Sequence, residues 1–228
     1  MPALLASMRE PEAAAERGTV LLLHGFTAGK ESQRNEAHSL ARQGYLAVTL
    51  DAVGHGERRY PDFEQRFLHQ DEATDRAFFT IVEQGAAEIA GVIAALHEQG
   101  WARPGRVGGC GISMGGFTLF GAIVARCALD AVVTIVASPH WRHTDHSPHT
   151  QLDRYAHTPL LMQAAERDAT VPPAPIRVLY EALIPRYAAA PDRLRYVEHA
   201  GEGHMFSAEA WHRAWDDALA WFDRFLRA

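Results

Sequence analysis

Residues 106–117 read RVGGCGISMGGF, and this stretch decides the fold. It contains the pattern G-x-S-x-G at positions 111–115, with Ser113 at its centre. The residues before the serine predict a strand, and those after it predict a helix over 113–126. A serine on so tight a turn sits in strained backbone, and bulky residues two places to either side would collide. The pattern alone also occurs by chance in glycine-rich turns, so its meaning depends on the rest of the chain.

Short apolar runs recur along the chain, separated by longer amphipathic stretches. The runs lie at 19–23, 45–50, 106–111, 131–136, 159–163 and 194–197. Runs of this kind are typical of strands buried on both faces, so they predict a mostly parallel sheet. The stretches between them predict helices at 32–43, 75–99, 113–126, 173–187 and 207–226. This alternation predicts a doubly wound α/β fold with helices on both faces, and Pro185 should end or kink the fourth helix.

Length and composition suit one globular domain over 1–228. The chain has 22 basic and 28 acidic residues, and its net charge of −6 disfavours nucleic acids and anionic membranes as partners. Two cysteines give no disulfide framework. The N-terminal stretch does not look like a signal peptide, and no stretch approaches the ~20 apolar residues of a membrane span. We therefore expect a soluble, cytoplasmic protein that is a monomer or a homodimer.

Over essentially its whole length the chain resembles the α/β-hydrolase superfamily of serine hydrolases. The serine pattern carries the resemblance, together with His24-Gly25 after the first run and a D-x-x-G-x-G stretch at 51–56. The segments HGFTAGKE and GHGERR look closest to small bacterial esterases of the prolyl-oligopeptidase-like and dienelactone-hydrolase-like branch. The resemblance implies an α/β-hydrolase fold with a short cap, acting on a small-molecule ester without a cofactor or metal.

The resemblance also implies the residues of a catalytic triad. In this superfamily the chain order is nucleophile, acid and base, which here gives Ser113, Asp168 and His204. Asp168 follows the fifth apolar run, where Glu166 is the rival carboxylate. His204 lies in the loop after the last run, and the alternatives to it are His199 and His212.

Other parts of the site are carried over in the same way. The backbone N–H groups of Phe26 and Met114 are expected to form an oxyanion hole, which stabilises the negative charge of the transition state. Asp51 is expected to hold its loop in place. The side chains expected to line the substrate pocket are His55, Trp141 and Phe206.

Two segments are expected to form the rim or cap, at 58–79 and 138–157. The second is rich in histidine at a spacing that a metal site could use, but Pro139 and Pro148 interrupt any long helix there, so we favour a cap. Dienelactone hydrolases place a cysteine at the central position of the tight strand-to-helix turn, which Ser113 occupies here, so Cys110 is expected in the core. Because the cap is short, we expect an open site for small esters.

These observations predict a serine hydrolase that cleaves small carboxylic esters through an acyl-enzyme. A thioesterase, a small peptidase and a perhydrolase would use the same triad, and the sequence does not separate them. The alternative from another class is a ligand-binding relative without catalytic activity. Such relatives usually lack a triad member, whereas here all three residues are available.

Overall fold

One sheet organises the computed structural model, which describes residues 1–69 and 71–226. Position 70, inside the predicted rim segment, and residues 227 and 228, at the end of the predicted domain, lie outside the described residues. In the described chain the strands are β1 (Ala3–Ala6), β2 (Thr19–Leu23), β3 (Leu46–Leu50), β4 (Val107–Ile112), β5 (Ala131–Ile135), β6 (Leu160–Ala165) and β7 (Leu194–His199). Their order across the sheet is β1-β3-β2-β4-β5-β6-β7.

Strands β2 to β7 run parallel, and only the edge strand β1 is antiparallel to its neighbour β3. The predicted mostly parallel sheet is therefore confirmed. Strand β1 was not predicted, because Ala3–Ala6 is short and only half-buried and lacks the long apolar run of the central strands. The central strand β2 is buried along its whole length, as its sequence TVLLL requires.

Helices cover both faces of the sheet, as predicted. They are α1 (Pro11–Ala15), α2 (Arg34–Arg42), α3 (Phe63–Arg66), α4 (Glu72–Glu98), α5 (Met114–Val124), α6 (Ala174–Leu183) and α7 (Ala208–Phe225). The short helices α1 and α3 were not predicted. Helix α6 ends before Pro185, which lies in a 3-10 turn over Ile184–Tyr187, because proline cannot continue the α-helical hydrogen bonds.

The sheet separates two hydrophobic cores. Successive side chains of a strand point to opposite faces, so Leu21 and Val20 of β2 belong to different cores. Helices α4 and α5 cover the Leu21 side and pack closely on each other. Helices α2 and α7 supply buried apolar residues to the Val20 side. Both cores reach the carboxyl ends of the parallel strands, the edge at which α/β folds bind ligands.

Helix α4 contradicts the expectation that no stretch is long and apolar enough for a membrane span. It has 27 residues, and the mean hydropathy of its most apolar window is 1.4, so by length and composition it could cross a membrane. In the fold, however, Phe79, Val82 and Ile89 are buried in the core that α4 shares with α5. Its other side carries charges, among them Glu88, which pairs with Arg58.

Asp51 anchors the loops that follow β2 and β3. Its fully buried carboxylate accepts hydrogen bonds from the backbone N–H of Lys30 at 2.9 Å and of Glu57 at 3.0 Å. The Lys30 ammonium lies 2.9 Å from the same carboxylate. Gly56 has a φ of 54°, and a Cβ built on it would lie 1.9 Å from an Asp51 oxygen, so only glycine fits here. Burial favours the neutral acid, but the Lys30 ammonium and the two amides outweigh burial and lower the pKa of Asp51.

We expect Asp51→Asn to lower the free energy of unfolding by about 3 kcal/mol, because it removes the buried carboxylate that pairs with the Lys30 ammonium and accepts from two backbone amides. Glu57 and Glu31 remain beside the ammonium, at 2.5 Å and 3.2 Å, but their side chains are exposed. The lowered pKa of Asp51 means that its contribution is complete above the pKa of the unfolded chain and is lost as the pH falls through the folded pKa. The difference between variant and wild type should therefore shrink on acidification.

Urea unfolding at several pH values measures this difference. Asp192→Asn is the matched control, because Asp192 forms an exposed ion pair with Arg224 and its loss should change stability by less than about 0.5 kcal/mol. Equal effects of the two substitutions would contradict the anchoring role of Asp51.

Candidate active site

The turn between β4 and α5 holds Ser113 in a backbone conformation that side chains rarely adopt. Its φ is 49° and its ψ is −117°, and its N–H donates to the carbonyl oxygen of Ile135 at 2.8 Å. A Cβ built on Gly111 would lie 2.3 Å from the carbonyl oxygen of Gly115, and one on Gly115 would lie 2.1 Å from that of Leu23. The glycines of the pattern are therefore required by backbone crowding, as the sequence predicted.

The fold brings Ser113, His204 and Asp168 into one hydrogen-bonded row. Nε2 of His204 lies 3.1 Å from Oγ of Ser113, and Nδ1 lies 2.7 Å from Oδ2 of Asp168. Oδ1 of Asp168 accepts hydrogen bonds from the N–H groups of Thr170 at 2.9 Å and Val171 at 2.7 Å. Since both carboxylate oxygens are occupied, the acid has one orientation. An ionised Asp168 accepts the Nδ1–H of a neutral His204, which leaves Nε2 free to accept a proton from the serine.

The alternative acid and base residues, Glu166, His199 and His212, lie outside the row of Ser113, His204 and Asp168. Glu166 accepts from the backbone N–H of Gly201 at 2.6 Å. His199 pairs through Nε2 with Oε1 of Gln163 at 3.0 Å, and burial lowers the pKa of its imidazole. His212 is exposed on α7.

The amides of Phe26 and Met114 lie close to the serine. Met114 is the first residue of α5, so its N–H is one of the free donors at a helix N-terminus. A Cβ built on Gly25 would lie 3.7 Å from Cβ of Ser113, which places the loop before Phe26 beside the serine. His24 fixes that loop, because its ring accepts from the N–H of Ala52 at 3.0 Å and donates to the Gly25 carbonyl at 2.8 Å. Within the described residues, neither predicted amide donates to another protein group.

A cavity of about 1660 Å³ opens over Ser113 and His204. One side, which we call the aromatic wall, belongs to the α4–α5 face of the sheet and consists of Phe26, Phe67, Phe78, Phe79 and Phe117. The other side, which we call the α2–α7 wall, belongs to the opposite face and includes Gln33, Glu36, Phe206 and Trp211. The cavity therefore crosses the sheet edge from one core to the other.

Of the three side chains predicted to line the pocket, only Phe206 does so. His55 is fully buried behind the aromatic wall, with ring centroids 5.2 Å from Phe26 and 5.0 Å from Phe63, and burial lowers its pKa to about 4. Trp141 is buried against Gly121 of α5, where a Cβ would lie 2.4 Å from the indole. Both predictions were wrong, because each ring is enclosed by side chains from segments that are distant in the sequence.

Each predicted rim segment contributes to the cavity. Phe67 and the start of α4 come from 58–79, and Arg142 and His143 come from 138–157. Asp75 joins the two segments, since it pairs with Arg142 and lies 2.6 Å from Nε2 of His143. Among the described residues, no cluster of three histidine, cysteine or acidic side chains is arranged to hold a metal ion.

Gln33, Glu36 and Trp211 are cavity residues that the sequence analysis missed. Trp211 lies in the predicted helix 207–226, and Gln33 and Glu36 lie in the predicted helix 32–43. No motif marks these positions. Cys110, in contrast, lies where it was predicted, fully buried in the core, and burial raises the pKa of its thiol.

Fold and site geometry define an α/β-hydrolase. The model of the Dienelactone hydrolase family matches residues 3–226, so the chain belongs to the dienelactone hydrolase family. The predicted resemblance is thereby confirmed, and the chain is a carboxylic ester hydrolase.

Known proteins similar to the chain agree with this assignment. "Putative esterase YitV" of Bacillus subtilis (strain 168) is 27% identical over 237 residues, which cover 91% of this chain and 89% of that protein. The structure of TT1662 from Thermus thermophilus covers 99% of this chain and 94% of its own, with a TM-score of 0.79 at 22% identity. A puromycin-hydrolyzing peptidase of Mycobacterium tuberculosis matches 92% of this chain but 34% of its own, with a TM-score of 0.70 at 20% identity. At these identities the two structures show the shared fold.

Gly115→Ala should lower the free energy of unfolding by about 2 kcal/mol or more, because the added methyl group overlaps the Leu23 carbonyl. Urea unfolding measures the change. Gly91→Ala is the control, since a Cβ there meets nothing within 4 Å and alanine favours the interior of helix α4 by up to about 1 kcal/mol. An unchanged stability of Gly115→Ala would contradict the crowding argument.

Proposed function

We propose that the protein cleaves small carboxylic esters through an acyl-enzyme formed on Ser113. One observation carries this proposal, namely the hydrogen-bonded row from Ser113 through His204 to Asp168. A serine hydroxyl becomes a useful nucleophile when an adjacent base can take its proton and a third group orients that base. The positions of these three residues support those roles.

In the first half of the reaction, His204 accepts the proton of Ser113 as the serine oxygen attacks the ester carbonyl. Asp168 keeps the proton on Nδ1 and stabilises the imidazolium that forms. The carbonyl oxygen becomes an oxyanion that accepts hydrogen bonds from the N–H groups of Phe26 and Met114. Donors that are fixed before the reaction need no reorganisation when the charge develops, so this arrangement lowers the barrier.

The tetrahedral intermediate then loses its alcohol. The bond between the carbonyl carbon and the alcohol oxygen breaks, and His204 passes its proton to that oxygen. In the second half, His204 takes a proton from water, which attacks the acyl-enzyme. Collapse of the second intermediate releases the carboxylic acid and returns the proton to Ser113.

The cavity places few steric limits on the ester. Its volume of about 1660 Å³ exceeds the ~300–1,000 Å³ typical of small-molecule sites. Its aromatic wall offers apolar surface to an acyl or alcohol group. The cavity therefore has room for acyl and alcohol groups larger than those of short-chain esters. Hydrolysis rates across a series of acyl lengths rank these groups directly.

Hydrolysis of p-nitrophenyl esters from acetate to decanoate tests the proposal. Wild type should turn them over, and Ser113→Ala should lose at least about 10⁴-fold in kcat, because the nucleophile is gone. A maximum at short chains would support small esters as substrates. Activity that survives the substitution would identify another nucleophile, and faster cleavage of matched thioesters or peptides would move the assignment to those classes.

The role of the acid is tested by a matched pair of carboxylate substitutions. Asp168→Asn should lower kcat by about 10⁴-fold, because an amide at this position favours the wrong tautomer of His204. Glu166→Gln should retain kcat within a few-fold, since its carboxylate binds the Gly201 amide and not the histidine. The opposite order of the two effects would make Glu166 the acid. Circular dichroism checks that both variants are folded.

A further inference from the structure

Gln33 is a buried amide side chain that has no hydrogen-bond partner. It ends the 3-10 turn Lys30–Gln33 before α2, and only 1% of the residue is exposed. Among the described residues, neither its Nε2 nor its Oε1 has a partner. The same residue lines the cavity over Ser113. Burying both polar atoms without partners destabilises the folded protein. A ligand group that enters from the cavity and pairs with them would remove this cost.

The surroundings of Gln33 restrict which group this is. Glu36 lies one helical turn further on and lines the same wall, where its Oε1 accepts the indole N–H of Trp211 at 3.0 Å. A carboxylate on the same wall disfavours an anionic ligand group there. The free amide offers both N–H donors and a carbonyl acceptor. The matching partner is therefore a neutral group that both donates and accepts, such as a carboxamide.

The position of the wall relative to His204 indicates which half of the ester carries this group. His204 hands its proton to the leaving alcohol, so the alcohol departs on the histidine side. The chain continues from His204 to Phe206, which lies on the α2–α7 wall and packs on Trp211 with ring centroids 6.4 Å apart. Phe206 and Trp211 are half-buried, so each presents part of its ring to the cavity.

We propose that Gln33 is a specificity residue that binds a carboxamide-like group in the alcohol part of the substrate. This inference rests on the proposed ester hydrolysis at Ser113. It assigns Gln33 to substrate binding and leaves the chemical steps to Ser113, His204 and Asp168.

The test compares two butyrate esters whose alcohols have similar size, 4-acetamidophenyl butyrate and 4-isobutylphenyl butyrate. Gln33→Met keeps the approximate volume and removes both polar atoms. It should lower kcat/KM for the acetamido ester by about tenfold and leave the isobutyl ester within twofold of wild type. The ratio of the two esters, compared between wild type and variant, cancels their different intrinsic reactivities.

Stability supplies a second readout. Gln33→Met should raise the thermal midpoint by about 3 °C, because an unpaired buried amide is replaced by an apolar side chain. Thr49→Val is the matched control, since the Thr49 hydroxyl is also buried without a partner but lies in β3, away from the cavity wall. It should raise the midpoint and leave the ester ratio unchanged.

p-Nitrophenyl butyrate separates the two ways in which the inference can fail. If wild type does not cleave it, the proposed function is wrong and the inference falls with it. If wild type cleaves it but Gln33→Met has an unchanged ester ratio, the proposed function stands and Gln33 does not bind the alcohol part of the substrate. A drop for both esters alike would also overturn the inference, because it would indicate a general role in shaping the wall.

Discussion

Close contact between backbones at the start of α5 is the constraint on which the site depends. The amino end of the helix approaches β2 so closely that no side chain fits at Gly115, which lies against the Leu23 carbonyl. This approach sets the height of Ser113 above the sheet and the distance from its hydroxyl to the loop after β2. It also leaves the Met114 amide at the helix end. One steric requirement therefore fixes the proposed nucleophile and one of the two predicted oxyanion donors together.

The remaining parts of the site are held by buried carboxylates whose oxygens are fully used. Asp168 is fixed by two backbone amides and orients His204. Asp51 is fixed by two other amides and the Lys30 ammonium, and it holds the loops that follow β2 and β3. In both cases backbone N–H groups, which cannot change rotamer, determine where an acid points. The two loops thus gain defined positions without any regular secondary structure of their own.

The central strands, the long helices and the row of Ser113, Asp168 and His204 could be predicted, because each depends on a local pattern or on chain order. Strand β1 was not predictable, since its four residues carry no apolar run, and the place of Gln33 on the cavity depends on how α2 and α7 meet. His55 and Trp141 were misplaced, because burial depends on neighbours that are distant in the chain. Helix α4 shows the same limit, since its composition fits a membrane while its packing places it in a core. Features that depend on a pattern within one segment could be predicted, whereas contacts between distant segments could not.

The division of the cavity between two cores has a consequence for how this enzyme can change. Its aromatic wall belongs to the core beneath α4 and α5, and its α2–α7 wall to the core on the other face, with the sheet between them. Substitutions that share no neighbours combine nearly additively. Variation in one wall therefore need not be compensated in the other, so the surfaces that the two walls offer to a substrate can change along separate evolutionary routes.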